Sequence, residues 1–134
     1  MKAPSWSRVT RDIKVTVLPL FLEDQSRPED GHFMWSYRVT IENSGGETVT
    51  LKTRYWKIVN DRGAVQEVRG AGVVGEQPTL KPGMRFEYTS GCALSTPSGF
   101  MGGAYQMETE EGEAFNVIIP PFSLDSPHHI MRLQ

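Results

Sequence analysis

The segment with the clearest chemical pattern is a glycine-rich stretch of the form G-x-G-x-x-G, whose glycines are Gly70, Gly72 and Gly75. In dinucleotide-binding folds, this spacing brings a pyrophosphate against the N-terminus of a helix that begins within the pattern. Two β-branched residues inside the stretch, and Pro78 shortly after it, leave too little room for such a helix. No acidic residue lies between residues 88 and 107, where a ribose-binding carboxylate would be needed. The pattern therefore does not predict a Rossmann site.

A different kind of phosphate site is compatible with the same stretch. Consecutive backbone amides in a glycine-rich loop can form a concave nest for an anion. Flanking positive charges would strengthen it, and the candidate anion-binding residues are then Arg69, Gly70, Gly72, Gly75 and Lys81. The alternative is that the glycines serve tight turns or close packing between sheets. Both interpretations stay open at the level of the sequence.

The residues that could bind a metal or act as nucleophiles do not form a recognisable site. His128 and His129 follow Asp125, but adjacent histidines project apart in an extended chain. His32 and Cys92 are not at metal-ligand spacing from these residues. The nucleophile pattern G-x-S-x-G does not occur in the sequence. We therefore predict no catalytic residue, no metal and no cofactor.

Composition limits the possible partners and compartment. The chain of 134 residues has 14 Lys and Arg against 16 Asp and Glu, which gives a net charge of -2 and lacks the basic excess of a nucleic-acid binder. The single cysteine fits a reducing compartment, so we expect a cytoplasmic protein. The most apolar stretch, residues 15–22, is too short to span a membrane. We expect neither nucleic acid nor membrane as a partner.

The elements that would position these residues are β-strands. Residues 33–41 alternate between apolar and polar with a period of two, which predicts a strand with one face inward. Residues 13–17 alternate likewise, and Pro19 indicates that this strand ends there or lies at an edge. The apolar positions change parity between Leu51 and Trp56, which indicates a bulge or a strand that changes sheet. A further strand is predicted to begin near Tyr105, after a pair of glycines.

About seven strands and no substantial helix predict an all-β fold, with two antiparallel sheets packed as in immunoglobulin or fibronectin type III domains. An open barrel is the alternative. We expect one domain over residues 12–125, a flexible N-terminal segment over residues 1–11 and a flexible tail over residues 126–134. Aromatic residues at alternating strand positions are assigned to the core rather than to a base-stacking platform.

Longer stretches of the sequence resemble the ApaG family, and the similarity covers about residues 12–125. The residues that carry it are Gln25-Ser26, Arg54-Tyr55-Trp56, the block from Gly72 to Pro78, Pro82-Gly83, Tyr88-Thr89-Ser90-Gly91, Thr96-Pro97, Gly99, Met101, Gly103, Tyr105, Phe115 and Ile119-Pro120. The resemblance implies a fibronectin type III-like β-sandwich, in agreement with the strand count.

The resemblance also implies possible functions. Bacterial members are associated with the enzyme that splits diadenosine tetraphosphate and with cobalt and magnesium tolerance. Relatives in a eukaryotic F-box protein and a polymerase-delta-interacting protein resemble interaction modules. The glycine loop of the family has been suggested to bind pyrophosphate-containing ligands, which here implicates Gly70, Gly72 and Gly75.

Taken with the absence of catalytic motifs, these features predict a non-enzymatic binding module with an as yet unidentified protein partner. The alternative is a phosphorylated small molecule, such as a dinucleoside polyphosphate, bound at the glycine loop. Hydrolysis of such a molecule by this chain is the third and weakest hypothesis, because no acid–base or metal constellation supports it.

Overall fold

The computed structural model describes residues 4–128 and contains nine β-strands. Their bounds are β1 Trp6–Thr10, β2 Ile13–Phe21, β3 Phe33–Asn43, β4 Val49–Asn60, β5 Val65–Ala71, β6 Thr79–Leu80, β7 Arg85–Leu94, β8 Gly99–Thr109 and β9 Ala114–Leu124. Two single-turn 3₁₀ helices, Glu23–Gln25 and Pro28–Asp30, connect β2 to β3. No helix among these residues is long and apolar enough to cross a membrane.

The strands form two antiparallel sheets, which confirms the predicted all-β sandwich. The four-stranded sheet has the order β1-β2-β3-β7, and the five-stranded sheet has the order β5-β4-β8-β9 with the short β6 also paired to β4. Two more strands are present than the seven expected. Strands as short as β6 carry too few residues to show a period of two, so the sequence gives no signal for them.

The core lies between the sheets and follows the predicted alternation. The five inward-facing apolar residues of β3 are all at most 6% exposed: Phe33, Trp35, Tyr37, Val39 and Ile41. The strand predicted at residues 13–17 is β2, which continues through Pro19 to Phe21. Because β1 pairs no further along β2 than Val17, Pro19 lies where one side of β2 has no neighbouring strand. Pro19 is therefore locally at an unpaired edge, although β2 itself lies between β1 and β3, and the predicted strand end is wrong.

The five-stranded sheet contains two local features that the sequence pattern only partly indicates: a bulge in β4 and a glycine-containing segment in β8. The register of β4 against β8 shifts between Leu51 and Thr53, so a bulge at Lys52 allows both Leu51 and Trp56 to face the core. The strand expected to begin near Tyr105 begins instead at Gly99 and runs through the glycines. A Cβ atom on Gly103 would lie 1.9 Å from the carbonyl oxygen of Tyr55, so this strand passes where only glycine fits.

The two ends of the described chain pack onto the sandwich. The domain boundary expected at residue 12 falls after β1, whose Trp6 ring lies 6.3 Å from the ring of Phe122. The sequence gives little indication of β1, because this strand has only five residues and its Val9 is 59% exposed. Of the tail expected at residues 126–134, Ser126 is buried and donates a hydrogen bond to the carbonyl of Pro97 (2.6 Å). Residues 129–134 lie outside the described part of the chain.

The sandwich is closed along one side and open along the other. On the closed side, β1 and β2 pack against β9, and the Ile118 amide donates to the Thr10 hydroxyl (3.2 Å). On the open side, β7 ends the four-stranded sheet and β5 ends the five-stranded sheet. The candidate site lies on the open side.

Candidate functional site

The glycine-rich stretch ends β5 and then forms a tight hairpin. The Val73 and Glu76 amides donate to each other's carbonyls over 2.8 and 2.9 Å, and Val74 and Gly75 occupy the turn with φ of 44° and 81°. Positive φ at both central residues is the signature of a type I′ turn. The Gly72 amide donates to the carbonyl of Lys52 (2.9 Å). The amides of Gly72, Val73 and Glu76 are thus already bonded to carbonyl groups, and of these only Gly72 is among the predicted anion-binding residues.

The structure does not bring the two predicted cationic residues to this hairpin. Arg69 precedes Gly70 on β5 and points to the opposite face, where its guanidinium lies 4.6 Å from the centre of the Tyr55 ring and 3.6 Å from Glu67. Lys81 follows β6, which pairs with the first two residues of β4. Gly70, by contrast, pairs with Arg54, well along that strand.

The cation that does lie at the glycine stretch is Arg54. It shares inward parity with Trp56, and its Nη1 donates to the carbonyls of Ala71 and Gly72, each over 3.0 Å. A Cβ atom on Gly70 would lie 2.8 to 2.9 Å from the guanidinium atoms, so this glycine leaves the space that the arginine fills. Arg54 is not among the residues predicted to bind an anion. The available signal was an arginine at an inward position after the bulge.

Arg54 lies in a cleft between the two sheets on the open side. We call it the inter-sheet cleft and define it by Tyr37, Arg54, Val68 and Ser90. One cavity of about 340 Å³ extends from Arg54 along β5 and β7. A second, of about 210 Å³, lies between Arg54 and the glycine hairpin, and a third, of about 140 Å³, continues to Ala64 and Ser95.

Neutral polar groups surround the arginine. Tyr88 and Tyr105 share a hydrogen bond between their hydroxyls, and burial raises the pKa of both. Burial also raises the pKa of Tyr37, although the Ser90 hydroxyl and the charge of Arg54 lower it. No Asp, Glu, Lys or His of the described chain lines the first two cavities. Arg54 is therefore the formal charge in this part of the cleft, and the site is suited to an anion.

The other candidate residues are separated. Burial raises the pKa of Cys92 to about 11, so this thiol is protonated at neutral pH. His128 lies 3.0 Å from Glu23 and contacts the rings of Phe21 and Phe33. Within residues 4–128, no three His, Cys, Asp or Glu side chains form a group that could hold a metal ion. His129 lies outside the described residues.

A second surface of interest is on the outer face of the five-stranded sheet. Phe100 is 59% exposed there, beside an apolar hollow of about 330 Å³. Tyr55, Val59 and Pro121 line this hollow, and Gly102 leaves it open. The outer face therefore offers an apolar contact surface that is separate from the inter-sheet cleft.

Comparison with known proteins agrees with this architecture. Residues 23–109 match the ApaG domain family. Protein ApaG of Paramagnetospirillum magneticum is 59% identical over 96% of this chain and 98% of its own length, and Protein ApaG of Rhodospirillum centenum is 63% identical over 92% and 95%. The crystal structure of the putative ApaA protein from Bordetella pertussis superimposes with a TM-score of 0.84 at 45% identity, over 87% of this chain and 94% of that one. These names specify no reaction. The chain belongs to the ApaG domain family.

Proposed function

We propose that this ApaG-family domain is a non-enzymatic binding module that holds an anionic group of a protein partner in the inter-sheet cleft. The observation that carries the proposal is a half-buried arginine without an acidic partner in the described part of the chain. The side chain of Arg54 has no carboxylate within 4.0 Å among the described residues. A charge partly removed from water favours a counter-ion, and Nη1 is already committed to two carbonyls, which leaves Nε and Nη2 for an incoming oxyanion.

The chemistry of the cleft supports binding rather than catalysis, and its length supports a protein rather than a small molecule as the ligand. The groups around Arg54 are hydroxyls whose raised pKa values keep them neutral, so they are suited to hydrogen bonding and not to proton abstraction at neutral pH. The cleft also continues past Arg54 along β7 for more than the length of one anionic group. The single cysteine is compatible with action in the cytoplasm.

Site-specific photo-crosslinking in cell extract tests this function. A photoreactive residue at Gln66, which is exposed and lines the cleft, should give protein adducts that disappear with Arg54→Gln. The matched control is Arg62→Gln, which removes an exposed charge on a turn and should keep the adducts. A photoreactive residue at Lys57 reports on the outer face. Adducts that persist in a folded Arg54→Gln variant, or that form mainly from position 57, would contradict the proposal.

A pyrophosphate-containing ligand is the second candidate, because Arg54 and the glycine hairpin bound the same cavity of about 210 Å³. Inorganic pyrophosphate should then raise the melting temperature with the logarithm of its excess over Kd. We expect Arg54→Gln to abolish this shift and Lys81→Gln to leave it unchanged. No shift at millimolar pyrophosphate, or a shift that moderate salt removes, would exclude this candidate.

A further inference from the structure

The inner face of β5 lacks the cover that its neighbour has. Gln66, Val68 and Gly70 face the four-stranded sheet, yet Gln66 is exposed and the other two are only half-buried. On the adjacent β4, the inward-facing Trp56 and Ile58 are at most 8% exposed. The difference arises because the four-stranded sheet ends at β7, so no strand of the described chain lies over β5.

The free edge of β7 is unusually open to a further strand. Among the described residues, β7 pairs with β3 on one side and with no strand on the other. Residues 88–94 contain no charge and no proline, and span about 24 Å at roughly 3.4 Å per residue. Exposed edges are usually protected by charges, prolines or bulges, because their unpaired amides and carbonyls attract other strands. The edge of β5, by contrast, carries Glu67 and Arg69.

We propose that an extended segment of a partner protein adds to the edge of β7 as a fifth strand of that sheet and covers β5. This inference rests on the proposed function, because the anionic group would be an acidic side chain of that segment, placed on Arg54. A strand is favoured over a compact ligand because the edge offers a row of backbone groups as well as one charge.

The residues that face the cleft on β4 and β5 determine which side chains the segment needs. Arg54 lies opposite Gly70, Trp56 opposite Val68 and Ile58 opposite Gln66. Each of these pairs defines one level along the cleft, and successive levels are two residues apart. A matching strand has an acidic residue at the Arg54 level, an apolar residue at the Val68 level and an amide or hydroxyl at the Gln66 level. The alternate residues between these face solvent.

A synthetic peptide with glutamate, valine and glutamine at alternate positions, threonines between them and lysine at each end is the probe. In NMR titrations of the full chain, we expect saturable shifts at residues 88–94 and slower amide exchange at alternate residues of β7. Arg54→Gln should weaken binding about tenfold or more, because a charge-assisted hydrogen bond is lost. The matched control, Arg62→Gln, should leave the affinity unchanged.

N-methylated peptides separate strand addition from simple charge attraction. A strand presents its amides alternately to its two edges, so methylating one alternate set should abolish binding and methylating the other should preserve it. Equal binding of both methylated peptides would overturn the proposal. So would NMR shifts confined to the outer face around Phe100, or the absence of any NMR shift at millimolar peptide. If crosslinking at Gln66 still depends on Arg54 in these cases, the proposed function survives and strand addition does not.

Discussion

The close contact between Arg54 and Gly70 is possible only because residue 70 has no side chain. The guanidinium atoms lie only 2.8 to 2.9 Å from the position that a Cβ atom of residue 70 would take, and Nη1 is held by two carbonyls of the glycine stretch. In this structure the glycine stretch holds the Arg54 guanidinium, and the amides of Gly72 and Val73 are bonded to carbonyl groups. This half-buried charge is positioned by the space that Gly70 leaves as well as by hydrogen bonds.

Gly70→Ala should therefore impair binding more than folding. Its Cβ atom would meet only the end of a flexible side chain, so we expect a loss of stability of about 1 kcal/mol or less, and loss of the Arg54-dependent crosslink. Gly103→Ala is the contrasting control, because its Cβ atom would overlap the backbone of Tyr55. That variant should lose several-fold more stability, as measured by urea denaturation. Equal losses in the two variants would contradict this account.

Trp35 is one of the largest fully buried side chains of the core. It is 1% exposed, its Nε1 donates to the carbonyl of Asp125 (2.8 Å), and its ring lies 5.3 Å from that of Phe21. Trp35→Ala should cost about 3–5 kcal/mol of unfolding free energy, as for other buried large aromatics. Trp35→Phe retains a ring and should cost less. A denaturant midpoint for Trp35→Ala equal to that of the parent would show that the burial assignment is wrong.

At the level of elements, the sequence predicted strands wherever the alternation was long. β3 was found because its inward residues belong to one uninterrupted pattern, and the bulge of β4 was one of two explanations for a shift in that pattern. The inter-sheet cleft could not be predicted, because Arg54 meets Gly70 only through strand pairing and meets Ser90 only through sheet packing. Neither relation leaves a local signal in the sequence.

The glycine hairpin contains a backbone conformation that its sequence does not favour. Val74 is 55% exposed and adopts φ of 44°, a region that β-branched residues rarely occupy. Asn-Gly is preferred at the two central positions of a type I′ turn. We therefore expect Val74→Asn to stabilise the protein by about 1 kcal/mol, by removing backbone strain. A lower or unchanged urea midpoint would indicate that the side chain of Val74 makes a contact worth more than the strain.

For the whole molecule, the closed side of the sandwich and its open side differ in how their strands are covered. The closed side joins the first strand to the last through Trp6, Phe122, Thr10 and Ile118. The open side exposes the edges of β5 and β7 around Arg54. The proposed binding surface thus lies on the side opposite the contacts that join the first strand to the last.

The tyrosines beneath the cleft should make the whole fold sensitive to alkali. Burial raises the pKa of Tyr88 and Tyr105 above the ordinary value of about 10 that they have in the unfolded chain. Below about pH 10 these hydroxyls are neutral in both states, and their contribution to stability is fully present. As pH rises further, the unfolded chain releases these protons while the folded chain keeps them. The free energy of unfolding should then fall by up to about 1.4 kcal/mol per pH unit for each tyrosine.

Urea denaturation at a series of pH values between about 8 and 11 measures this slope, and Tyr105→Phe should make it shallower. The variant leaves Tyr88 without its hydroxyl partner, so its stability at neutral pH must be measured as the reference. Ultraviolet titration supplies an independent readout, because the two buried hydroxyls should ionise together with the loss of β-type circular dichroism. Ionisation of all four tyrosines near pH 10 in a protein that remains folded would contradict the assigned burial.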